Sequence, residues 1–74
     1  MLNTEVDEVN FRKHLKVYIE RSQITAAELA RRTGVPKQTI SDWLAGTQPR
    51  NMVHVKKVAD ELGVSLTELF FGAQ

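Results

Sequence analysis

The sequence predicts an all-α domain of five short helices around one core. Apolar residues recur at steps of three and four in five segments, the spacing of helix faces and not of strands. Two segments open on a Ser/Thr-x-x-Glu pattern, a mark of helix N-termini, and glycines stand where three of the segments should stop. No stretch alternates with period two, and no cysteine is present to staple the fold.

The first helix is expected over roughly Val9 to Arg21, where Phe11, Leu15, Tyr18 and Ile19 share a face and "SQI" breaks the pattern. The second runs from Thr25 to Arg32. Thr25 and Glu28 form a predicted capping box, with Ile24 and Leu29 placed to staple the entry and Gly34 suited to the left-handed residue at the exit. The third runs from Pro36 or Lys37 to Ala45; proline is tolerated there because first-turn N–H groups lack an intrahelical acceptor. Ile40, Trp43 and Leu44 form its inward stripe, and Gly46 stops it. After the turn "TQPRN", the fourth helix runs from Met52 to Leu62 with Val55, Val58, Ala59 and Leu62 inward, closed by Gly63. The fifth starts at Ser65, which forms a second capping box with Glu68, and adds Leu66, Leu69 and Phe70 to the core.

Seventy-four residues hold one small domain with a limited core, and 42% hydrophobic residues are too many for a disordered chain. No apolar run approaches the ~20 residues of a membrane helix. The start "MLNTEVDEVN" lacks the basic-then-apolar order of a signal peptide, so a cytoplasmic protein is expected. Net charge is +1, but three of the nine acids lie in residues 1–8, leaving +4 over residues 9–74. Residues 1–8 therefore read as an acidic, candidate disordered tail and residues 9–74 as the domain. A balance of +4 is mildly basic and does not by itself point to a partner.

Reactive chemistry is not expected. His14 and His54 stand alone, outside metal-ligand spacing, and the chain has no Gly-rich phosphate loop, nucleophile elbow or carboxylate pair with a cleft. No enzyme activity, cofactor, metal or small-molecule ligand is predicted. Trp43, in a stripe with Ile40, reads as core and not as a stacking platform. Phe71 has two readings, folded back on the core or packed on a second subunit.

The segment "ITAAELARRTGVPKQTISDWLAG…VKKVADELGVSLTELF" resembles the Cro/Xre-type, phage-repressor-like helix-turn-helix family over about Phe11 to Phe70. The shared features are the capped helix containing Leu-Ala, the turn glycine, the central isoleucine of the next helix, the tryptophan three residues later and the closing "LGVSLTELF". The resemblance implies a compact five-helix domain whose second and third helices form the helix-turn-helix. It also implies sequence-specific binding of double-stranded DNA by a bacterial or phage transcriptional regulator, with the third helix in the major groove. Base contacts would fall to Lys37, Gln38, Ser41 and Asp42: lysine donates to guanine, glutamine pairs with adenine, and aspartate accepts from cytosine. Phosphate contacts would fall to Thr25, Ala26, Thr39, Gln48, Arg50 and Asn51. Ala30 and Ile40 are expected to pack together and stiffen the elbow, and a homodimer is expected on DNA.

One departure concerns an Arg–Glu pair that many members place late in the first and third helices. Ile19 and Leu44 occupy those positions here and are expected to touch, trading an ion pair for packing. The competing function is a protein-interaction module on the same scaffold, antitoxin-like or anti-repressor. The polar "PKQTISD" surface argues against it, and an RNA-binding reading lacks exposed aromatics for stacking.

Overall fold

The computed structural model describes residues 10–72, and over them the helical spacing is realised as α1 (Phe11–Ser22), α2 (Ala26–Thr33), α3 (Lys37–Leu44), α4 (Met52–Leu62) and α5 (Leu66–Phe71). No strand occurs among the described residues. The expected acidic tail, residues 1–8, and Val9 lie outside them.

Helix α1 starts where the Asn10 side chain accepts from the Lys13 N–H at 3.1 Å, so the cap is Asn10 and the helix begins two residues later than its spacing suggested. Its face of Phe11, Leu15, Tyr18 and Ile19 is buried. No glycine ends it: Gln23 itself takes the left-handed conformation at φ 58°, and its N–H donates to the Glu20 carbonyl at 3.1 Å.

The predicted capping box of α2 is only half made. Thr25 Oγ1 accepts from the Glu28 N–H at 3.0 Å, but the Glu28 carboxylate turns forward to Arg31 and Arg32 instead of back to the cap. Two guanidinium groups one turn ahead form charge-assisted hydrogen bonds that outcompete a neutral amide. The Ser65–Glu68 box of α5 has no such competitor within the helix and is complete, at 3.0 Å and 2.8 Å.

The turn between α2 and α3 is part of the core. Gly34 takes φ 79°, where a β-carbon is costly, and its N–H donates to the Ala30 carbonyl at 2.8 Å. Thr33 Oγ1 donates to the Leu29 carbonyl at 2.8 Å and accepts from the Val35 N–H at 3.2 Å, stitching the turn to the end of α2. Val35 then buries its side chain, and the Pro36 carbonyl accepts from the Thr39 and Ile40 N–H groups to start α3. At the far end, Leu44 is the last residue of α3, one short of expectation, and Gly46 follows.

Helix α1 packs on α3, α4 and α5; α2 packs on α3 and α4; α4 also meets α5. Leu15, Leu29, Ile40, Val55, Val58 and Leu69 are fully buried at the centre. Ala30 and Ile40 are both buried on the touching α2 and α3, and Ile19 is buried while Leu44 packs against the same core. Trp43 is core, as its stripe predicted: its ring meets Phe11 edge-on at 5.3 Å, and Phe11 lies 5.1 Å from Phe70. Phe71 remains half exposed.

Candidate nucleic-acid interface

The elbow presents one surface and hides the other. Ile40 and Trp43 bury the inner side of α3, which leaves Lys37 and Gln38 exposed on its first turn and Ser41 and Asp42 half-buried one turn further. Lys37 and Ser41 are four residues apart, as are Gln38 and Asp42, so the four make two adjacent rows along the helix. In the second row, Gln38 Nε2 donates to Asp42 Oδ1 at 2.8 Å.

Beside α3 the chain folds around an open hollow of about 260 Å³. Thr39, Asp42 and Trp43 line it from α3, Thr47, Gln48 and Arg50 from the connecting loop, and Asn51 and His54 from the start of α4. Thr39, Gln48, Arg50 and Asn51, separate in the sequence, thus share one wall with Asp42. Asn51 also has a structural duty: its Oδ1 accepts from the Val53 and His54 N–H groups at 3.0 Å and 3.2 Å, capping α4. Its Nδ2 hydrogens are left as the end that can reach a ligand. Thr47 and His54 join this lining through the wrap of the loop, which no local sequence pattern reveals.

Thr25 and Ala26 sit apart from this wall, at the N-terminus of α2. Thr25 is exposed but its hydroxyl oxygen already caps the helix. The first-turn N–H groups of Ala26 and Ala27 have no acceptor within the helix and carry its positive dipole end.

The charges divide into neutralised and available sets. Arg31 and Arg32 both bond Glu28, and Arg32 also reaches Glu61 on α4 at 3.3 Å, tying the elbow to the helix behind it. Hydrogen bonds from Arg32 and then Arg31 hold the Glu28 carboxyl below its ordinary range, while Glu28 and Glu61 raise Arg32. Lys56 pairs with Asp60 along α4 at 2.6 Å. Lys37 and Arg50 are exposed and form no ion pair among the described residues.

A family model described as helix-turn-helix matches residues 15–69, which span from within α1 to within α5. The chain belongs to the Cro/Xre-type helix-turn-helix family. This helix-turn-helix domain is thus of the DNA-binding, transcription-regulator kind, with α2 and α3 as its paired helices. No significant match is found among curated proteins or among solved structures. Among the described residues of the domain, no helix is long and apolar enough to cross a membrane.

Proposed function

We propose that this domain binds double-stranded DNA sequence-specifically, as part of a bacterial or phage transcriptional regulator, with α3 in the major groove. The observation that carries the reading is the exposure of Lys37 and Gln38 on the first turn of a helix whose opposite face is locked in the core. An α-helix fits the major groove of B-form DNA, where each base pair shows its own donor and acceptor pattern. Lys37 and Gln38 meet base edges, with Ser41 and Asp42 following on the next turn. Arg50, Gln48, Thr39 and the Nδ2 of Asn51 grip one phosphate run, and the α2 amides at Thr25 and Ala26 grip another.

A single module buries only ~600–1,000 Å² on DNA. We therefore assign the working form to a two-fold homodimer reading half-sites ~34–36 Å apart. Binding selection from a random library, followed by titration of the selected site, tests the reading. Gln38→Ala should relax preference at one base pair, where a good bidentate contact discriminates by about 1–3 kcal/mol. Arg50→Ala should weaken all sequences alike and reduce the salt slope by about one. Wild-type binding with no preference over random competitor would reject the assignment.

The protein-contact alternative has one specific observation in its favour. Met52 and Val53, at the start of α4 beside the proposed phosphate wall, are 47% and 62% exposed. Two apolar side chains are a small anchor, and the exposed residues of α3 itself remain polar, so the DNA reading stands ahead of it.

A further inference from the structure

We propose that Asp42 is a positioning residue that sets which way the Gln38 amide faces, and thereby which base α3 prefers. The inference rests on α3 being the helix that reads DNA. Gln38 Nε2 donates to Asp42 Oδ1 at 2.8 Å across one turn of α3. An ionised carboxylate can only accept hydrogen bonds, whereas a glutamine amide has a donor end and an acceptor end. Only one orientation of Gln38 satisfies the pair: the NH₂ group toward Asp42 and the carbonyl Oε1 away from it. Turned over, the amide would set two oxygens against each other.

This bond leaves Gln38 with one N–H and with Oε1. A donor and an acceptor side by side match adenine in the major groove, where N6 donates and N7 accepts. Guanine shows two acceptors there, N7 and O6, and the second would face Oε1. A glutamine free to flip can turn its NH₂ toward either purine. One held by a carboxylate cannot do so without losing a charge-assisted hydrogen bond, roughly twice as strong as a neutral one. Asp42 is half-buried in the wall of the hollow, so its own freedom to follow a flipped amide is limited. The arrangement also gives a place to an acid on a surface meant for polyanions. Its negative charge repels every DNA equally, and what it supplies in return is discrimination.

The test is titration of wild type, Asp42→Asn, Asp42→Ala and Gln38→Ala on the selected site and on the same site changed at one base pair. That base pair is the one at which Gln38→Ala relaxes. Wild type should prefer adenine over guanine there by roughly fivefold to 150-fold. Asp42→Asn keeps the shape but can donate as well as accept, so the Gln38 amide gains its second orientation. The adenine preference should fall to within about threefold, as in Asp42→Ala, while preferences hold at every pair but this one and any that Asp42 itself reaches, and affinity for random DNA rises with the lost negative charge. A merely structural role would instead lower affinity at all positions together and shift the melting temperature. If wild type selects its site and Asp42→Asn keeps the adenine preference, the positioning role is wrong and α3 remains the reader. Selection of a base other than adenine at that position also overturns it. If wild type selects nothing, the underlying DNA reading fails first and takes this inference with it.

Discussion

Trp43→Ala is expected to remove at least about a quarter of the domain's stability and, at the low end of that stability, to unfold it. Trp43 is 3% exposed, and its ring holds the edge-on contact with Phe11 that joins α3 to α1. Phe11 in turn carries Phe70, so one deletion loosens the seams to α1 and α5 together. Removing a buried tryptophan side chain costs about 3–5 kcal/mol. Stability of roughly 0.05–0.15 kcal/mol per residue gives a chain of this length only about 4–11 kcal/mol in total. Urea denaturation followed by far-UV circular dichroism should show a midpoint lowered by about a quarter or more, or no cooperative transition. A loss under about 1 kcal/mol would mean that the aromatic trio does not hold α3 to α1 and α5.

Lys37→Glu should have the largest effect on binding. Lys37 is exposed at the first position of α3, so nothing in the core depends on it. A carboxylate there even suits the positive end of the helix dipole, stabilising the fold by about 0.3–1 kcal/mol. With α3 in the groove as proposed, the same change replaces an attractive charge with a repulsive one beside DNA. Like-charge juxtaposition costs several kcal/mol, so affinity for every sequence should drop by roughly a hundredfold at about 100 mM salt. Fluorescence anisotropy reads the loss, and an unchanged thermal melt shows that it is not a folding defect. Binding within about threefold of wild type would remove α3 from the interface.

Much of the fold was legible because its ends are marked locally. Gly34, Gly46 and Gly63 all carry positive φ where the sequence set its stops, and the buried stripes of α1 to α4 follow the three-and-four spacing. What was not legible is long-range or competitive. The Thr25–Glu28 pattern is a sound capping box until the neighbouring arginines are weighed, and a two-residue pattern does not weigh them. The bond from Arg32 to Glu61 joins residues 29 positions apart, beyond any local rule. A single apolar residue such as Val35 has no period to mark it, yet it is nearly fully buried and makes the turn a core element. On α3 the exposed residues were readable one by one. Their alliance was not: Gln38 and Asp42 carry a spacing that permits a bond, but only the side-chain geometry shows that it forms.

The stitched, valine-filled turn has a further consequence. If α3 reads DNA as proposed, a helix fixed this firmly cannot swing to suit a groove of different width or curvature without opening the core beneath it. Any mismatch must then be absorbed by the duplex, through bending or changed twist whose energy depends on the steps being deformed. Such a domain should favour particular flexible or narrow-grooved sequences even at base pairs that no side chain reaches, and its operator should be partly a statement about the mechanics of DNA.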